Sequence, residues 1–206
     1  KVSRKGCLKH TRELTLQLAI VTGGARRIGK AVALALAEAG FSIALQYRRS
    51  ADAAAETVEA LRQLGVTALA FEAALDEPGS AWSFMQQVGA ALGPVACLVN
   101  NASHFADDRL PTLTEESWRS HLSVNLEAPV FLAQAFARQL PQDRQGNIVN
   151  ILDQRVLRPN PLFFSYTVAK SALWAATRTM AQALAPRVRV NAIAPGPTLK
   201  SVYQSE

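Results

Sequence analysis

Short apolar runs alternate along this chain with longer stretches rich in alanine and leucine. Leu16–Val21, Ser42–Tyr47, Thr67–Glu72, Val95–Asn100, Asn147–Leu152 and Arg187–Ala192 read as strands. Between them, Arg27–Ala39, Ala51–Leu64, Ser80–Leu92, Glu115–Gln139 and Phe164–Ala185 carry the longer patterning of helices. Gly40, Gly65, Gly93 and Gly146 stand where a helix hands over to a strand, a position that helix ends favour. Strict alternation of this kind predicts an α/β fold: a doubly wound parallel sheet between two helical layers, joined by right-handed crossovers. No internal repeat, low-complexity segment or linker divides the chain, so residues 14–206 are expected to form one domain.

Composition changes this picture little. At 206 residues, 49% hydrophobic and 18% charged, the chain suits one domain with a sizeable core, and no apolar run is long enough to span a bilayer. A net charge of +6 suggests nucleic acid until it is located. Lys1, Arg4, Lys5, Lys9 and Arg12 precede the first acid, Glu13, and the remaining 17 basic and 16 acidic residues nearly balance. Residues 1–13 therefore read as a basic leader, either a disordered or appended tail or an organellar transit remnant, and not as a binding patch. Cys7 and Cys97 cannot build a disulfide framework, and Cys97 sits in an apolar run as a small hydrophobe. Three scattered histidines give no metal-ligand spacing, so no metal is expected, and a reducing cytoplasm is the default location.

The first candidate chemistry follows the first strand. Leu18-Ala19-Ile20-Val21 runs into Thr22-Gly23-Gly24-Ala25-Arg26-Arg27-Ile28-Gly29 and then a helix. A strand, a glycine-rich turn and a helix N-terminus make an anion site from backbone N–H groups and the helix dipole. Gly23 permits the tight turn and Gly29 close helix packing, while Arg27 stands where a further glycine is expected. The bland reading is a turn whose glycines serve geometry alone. The second strand ends Tyr47-Arg48-Arg49-Ser50, with no acid to grip a ribose 2′-hydroxyl. Two guanidiniums and a hydroxyl suit a 2′-phosphate, which favours NADPH over NADH. A solvated basic strand end is the alternative.

The second candidate is proton chemistry. Tyr166 and Lys170 are four residues apart and share one helix face, so an ammonium can sit beneath a phenol. Asp153, thirteen residues upstream at a strand end, can reach the same phenol. An ionised Asp153 keeps Tyr166 protonated, and a protonated Asp153 is itself a donor. Either state suits protonation of a ring nitrogen as hydride reaches the adjacent carbon, and the pair should titrate as a unit. Asp153 has a plainer alternative: capping a loop, or pairing with Arg155 or Arg158.

With T-G-x-x-x-R-I-G, Asn100-Asn101-Ala102-Ser103, Asn125, Tyr166-x-x-x-Lys170 and Pro195-Gly196 in this order, the chain resembles the short-chain dehydrogenases/reductases from about Leu16 to Thr198. The resemblance implies a single Rossmann-type domain, frequent assembly as a homotetramer, and NADP(H) held by Gly23, Arg26, Arg27, Ile28, Gly29, Tyr47 to Ser50, Asn101, Ala102, Ser103, Lys170, Pro195, Gly196 and Thr198. Thr198 would bond the cofactor amide or phosphate, unless the proline-rich turn is purely structural. It also implies that Asn125 holds a proton-relay water, and that Lys170 contacts the nicotinamide ribose and lowers the Tyr166 pKa. Within the family, Arg27, Arg49-Ser50, Asn101-Ala102-Ser103 followed by Phe105, and Asp153 in place of the usual serine resemble the pteridine and dihydromonapterin reductases. That branch implies a pterin stacked on Phe105, bonded by Ser103 and met by Arg27, Asp153 and Tyr166. The chain departs from the family in three ways. The acid that often contacts adenine falls on Ala74, with Asp76 two residues later; the leader has no counterpart; and relatives usually continue for several dozen residues past Glu206, through a substrate loop and a last strand. An ordinary carbonyl or 3-oxoacyl reductase, or a non-catalytic NADP(H)-binding regulator, are the competing readings.

Overall fold

The structure, a computed structural model, describes residues 17–196 and Thr198. The basic leader lies outside the described residues. The chain runs β1 (Leu18–Val21), α1 (Arg27–Glu38), β2 (Ser42–Tyr47), α2 (Ala51–Gln63), β3 (Ala68–Glu72), α3 (Ser80–Leu92), β4 (Val95–Asn100), α4 (Glu115–Leu122), α5 (Ala128–Gln139), β5 (Gly146–Ile151), α6 (Phe164–Leu184) and β6 (Val188–Ile193). The strands form one sheet in the order β3-β2-β1-β4-β5-β6, every neighbouring pair parallel.

Strand β1 explains the layering. All four of its residues are buried, as a parallel strand covered on both faces requires. Alternate side chains point to opposite faces. Leu18 and Ile20 join the core beneath α3 and α5, where Phe84, Leu132 and Phe136 are fully enclosed. Ala19 and Val21 join the opposite core with Ala33 of α1 and Val58 and Leu61 of α2. Cys97 of β4 is buried here too, and burial pushes its thiol up to about 11 against a smaller opposing effect of Arg189. It packs as the small hydrophobe expected.

Two sequence expectations are refined by the structure. Gly40, Gly65 and Gly93 do take positive φ at helix-to-strand turns, but Gly146 is the first residue of β5 and serves packing instead. A Cβ there would stand 2.7 Å from the Phe136 ring. The predicted helix 115–139 is divided by a π-helical turn over Ser123–Glu127, in which the amide of Ala128 donates to the carbonyl of Ser123. Pro129 is the physical reason: it lacks the N–H that an α-helix would aim at the Asn125 carbonyl. π turns of this kind frequently mark functional sites.

The strand order reverses on either side of β1. Such a switch point opens a crevice at the carboxyl ends of the strands. The loops leaving β1, β4, β5 and β6 all end there.

Candidate active site

That crevice is a cleft of about 830 Å³. Its walls come from the turn after β1, the loop after β4, the end of β5, the start of α6, and Pro195, Gly196 and Thr198 after β6.

The turn after β1 is built for close approach. Gly23 has φ 60°, and a Cβ on Gly29 would meet the Gly23 carbonyl oxygen at 2.2 Å. Asn101 braces the turn by donating from Nδ2 to the carbonyls of Thr22 (2.9 Å) and Gly23 (3.1 Å). The Thr22 hydroxyl in turn accepts from the amides of Asn101 and Ala102, both at 2.9 Å. Arg27, which stands where glycine was expected, has φ 51°, the left-handed conformation that glycine adopts without strain. Arg26, Arg27 and Ile28 reach the cleft beside the first turn of α1, whose leading amides have no partner within the helix. A pyrophosphate fits such a cradle. Replacing Gly29 with alanine should lower the melting temperature and abolish dinucleotide binding together, since the clash is with backbone; a thermal melt with and without NADPH reads both.

Across the cleft, the expected trio converges. The Tyr166 hydroxyl donates to Asp153 Oδ2 at 3.1 Å. Lys170 Nζ donates to the Ile151 carbonyl at 2.7 Å and lies 5.8 Å from the centre of the Tyr166 ring. The backbone on both sides of Asp153 is pinned to the exit of β6: the Leu152 amide donates to Ile193 and the Gln154 amide to Pro195. Burial raises the Tyr166 pKa most, and the charge and hydrogen bond of Asp153 raise it further, against smaller opposing effects of Arg155 and Ser103. The phenol is thereby held protonated. Lys170 is fully enclosed, and burial lowers its pKa to about 8 although Asp153 opposes the shift.

Asp153 also fulfils its plainer alternative. Its Oδ1 accepts from the Arg155 amide at 2.8 Å, capping a short 3-10 turn over Gln154–Val156, and the Arg155 guanidinium pairs with Oδ2 at 3.3 Å. One carboxylate thus holds the phenol and the guanidinium at once.

Phe105 lies face to face with Phe163, the ring centres 4.3 Å apart and the planes 6° from parallel. The Tyr166 ring lies across it, the centres 4.7 Å apart and the planes at 76°, and the Arg155 guanidinium stands beside the stack, 5.4 Å from the Phe105 centre and 5.1 Å from that of Phe163. Phe163 has φ 55°, a strained conformation for a bulky residue. The cleft therefore carries a flat aromatic wall beside a proton donor.

The family model described as short chain dehydrogenase matches residues 17–206. The chain belongs to the short-chain dehydrogenases. A 3-oxoacyl-acyl-carrier-protein reductase of Staphylococcus epidermidis is 34% identical over 179 residues, 86% of this chain and 73% of the relative. Among solved structures, the FolM alternative dihydrofolate reductase 1 of Brucella canis, complexed with NADP, is 47% identical with a TM-score of 0.86, covering 89% of this chain and 75% of that one. The same protein from Brucella suis is 48% identical, also with a TM-score of 0.86 and 89% of this chain covered, and 76% of that chain.

Other predicted site residues of this short-chain dehydrogenase stand outside the lining of the cleft. Tyr47, Arg48, Arg49 and Ser50 lie at the end of β2 and do not line the cleft itself. Arg48 is paired with Asp76 at 2.7 Å, so of the two guanidiniums offered to a 2′-phosphate one is already engaged in the single chain. That pairing also gives Asp76 a partner other than an adenine. The Asn125 side chain is fully buried and bound to the loop after β4: Oδ1 accepts from the Ser103 hydroxyl (2.8 Å) and the His104 amide (3.2 Å), and Nδ2 donates to the His104 carbonyl (2.8 Å). Its side-chain amide thus anchors the loop that carries Ser103. Phe163 and Arg155 complete the site, yet sequence reasoning gave Phe163 no role and Arg155 only that of a bystander. The adjacent Phe163-Phe164-Ser165-Tyr166 run was the available signal for Phe163.

Proposed function

We propose that this chain is an NADPH-dependent reductase of a pterin-like heterocycle, of the dihydropterin or dihydrofolate type, acting on a C=N bond. The observation that carries the reading is the carboxylate-bound phenol, Tyr166 Oη to Asp153 Oδ2 at 3.1 Å, set against the stacked rings of Phe105 and Phe163. The 47% identity to the Brucella dihydrofolate reductase supports it. The cofactor is NADP(H). Gly23, Arg26, Arg27, Ile28 and Gly29 hold its pyrophosphate at the start of α1, Arg49 and Ser50 meet the 2′-phosphate, and Pro195, Gly196 and Thr198 line the far side of the cleft. Bound NADPH supplies a hydride for the carbon of the C=N bond.

The residues of the chain supply the rest. Tyr166 Oη holds the proton for the nitrogen. Asp153 fixes the direction of the phenol and keeps it protonated through its charge. Lys170, anchored on Ile151, underlies the same helix face and carries the ribose contact. The Phe105–Phe163 pair forms the aromatic wall against which a flat substrate lies, Ser103 lines the same cleft with a hydroxyl, and Arg27 stands at its phosphate end. Phe131 on α5 and Trp174 on α6, 54% and 38% exposed in the single chain, give a homo-oligomer apolar surface to cover.

A 3-oxoacyl reductase is the second reading, favoured by the 34% identity to the staphylococcal enzyme. A spectrophotometric screen separates the two by following NADPH and NADH loss with dihydrobiopterin, dihydrofolate, acetoacetyl thioesters and simple ketones. The proposal expects fastest turnover with NADPH and a dihydropterin. Preference for the thioester would replace it with the second reading.

A further inference from the structure

The helix that carries Tyr166 and Lys170 has no cap of its own. Phe163, at its start, is strained and offers no side-chain oxygen. The leading amides of α6 are met instead from a segment more than fifty residues earlier: Phe164 donates to the Asp108 carbonyl at 3.1 Å and Ser165 to Asp108 Oδ1 at 3.0 Å. Tyr166 is the next residue.

Asp108 closes the same loop that carries Ser103 and Phe105, and that loop is fastened along one face of a helix. Ser117, His121 and Asn125 recur every four residues and so stand in line. Asn125 takes Ser103 and His104 as described above. His121, fully buried, accepts the Ala106 amide on Nε2 at 3.2 Å. With that nitrogen accepting, the ring proton sits on Nδ1, which donates to the Ser117 carbonyl at 2.8 Å. The Ser117 hydroxyl donates to Asp108 Oδ2 at 2.8 Å, and His121 Nδ1 stands 3.6 Å from the same oxygen. Burial alone would raise the Asp108 pKa, but hydrogen bonds from Ser165 and Ser117 outweigh it and hold the carboxyl below its usual value. An anion at a helix N-terminus is favoured by the helix dipole.

We infer that Asp108 and His121 are positioning residues that lock the loop bearing Ser103 and Phe105 to the helix start bearing Tyr166. The inference rests on the proposed function only for the identity of the substrate. Neither residue touches the reacting atoms. The spacing between aromatic wall and proton donor passes through them, because Asp108 ends the loop that bears Phe105 and is bonded to the first amides of the helix that bears Tyr166, while His121 holds Ala106 of the same loop.

The test compares Asp108→Ala, Asp108→Asn, His121→Phe and Ser117→Ala with wild type, using whichever substrate the wild type reduces. Asp108→Ala should lower kcat/KM on the order of 10²-fold, the scale of a misplacement of about 1 Å. Asp108→Asn keeps an oxygen to accept from Ser165 and should recover most of that loss. His121→Phe keeps the ring but frees Ala106, and should raise KM roughly tenfold with a smaller change in kcat. Ser117→Ala should act in the same direction as Asp108→Ala, more weakly. NADPH affinity should hold in all four. Equal losses in the alanine and asparagine forms, or lowered melting temperatures with unchanged kinetic constants, would overturn the inference. If Asp108→Ala fails to fold, the asparagine, His121 and Ser117 forms carry the test. A wild type that reduces ketones and no dihydropterin ends the proposed function and leaves this comparison intact. Should it reduce neither, hydrogen exchange of the Phe164 and Ser165 amides reads the cap directly: faster in Asp108→Ala and protected in Asp108→Asn supports it, and no difference refutes it.

Discussion

Tyr166→Phe should lower kcat on the order of 10²–10⁴-fold, the usual worth of a positioned general acid, with NADPH affinity unchanged. The phenylalanine ring keeps the edge contact with Phe105 and fills the same buried space, so the loss isolates the hydroxyl. Among the described residues, no other side-chain hydroxyl is bonded to Asp153. Arg155 is the nearest donor, but its guanidinium pairs with the carboxylate and faces the stacked rings of Phe105 and Phe163. A stopped-flow titration of NADPH alongside steady-state rates checks both halves of the prediction. A variant that retained a tenth of wild-type kcat would remove Tyr166 from the proton transfer.

Asp153→Ser should cost dihydropterin turnover about 10–10²-fold, less than loss of the phenol because the donor itself remains. The more specific expectation concerns pH. Tyr166 must be protonated to act, so activity falls as pH rises through its pKa. Burial raises that pKa first, and Asp153 then raises it further by charge and by hydrogen bond. Wild type should therefore keep its donor beyond pH 10, the ordinary tyrosine value. In Asp153→Ser the charge is lost while Arg155 continues to lower the pKa. The alkaline limb of the kcat/KM profile should move to lower pH. An unmoved limb would mean that the carboxylate serves the 3-10 turn and Arg155 alone.

Much of the fold was legible in the sequence. Strands β2 and β4 and helix α3 have the bounds that their apolar runs and flanking glycines predict, since a parallel strand buried on both faces leaves a continuous hydrophobic signature. The π turn was not legible from periodicity, because it depends on one missing N–H at Pro129 and leaves the Ala/Leu pattern nearly intact. Among site residues, Asp153, Tyr166 and Lys170 were readable because two of them share a helix face and the third ends the neighbouring strand. Gly23 and Gly29 were readable from the strand-turn-helix order.

What escaped was everything set by contacts between distant segments. Arg48 could be placed at the end of β2, but its partner Asp76 lies beyond α2 and β3. That the Asn125 side chain fastens the loop after β4 could not be read either, because the two lie more than twenty residues apart. Asp108 carries no motif at all. Its role at the start of α6 exists only once two segments far apart in the chain are side by side.

Asp153, bonded to the Tyr166 phenol, suits it to giving a proton to a ring nitrogen. The most direct test of that role is the ratio of kcat/KM for a dihydropterin to that for a ketone, measured in wild type and in Asp153→Ser at neutral pH. The ratio should fall at least about tenfold in the variant, a difference of about 1.4 kcal/mol in transition-state stabilisation. The same ratio in both proteins would contradict the account.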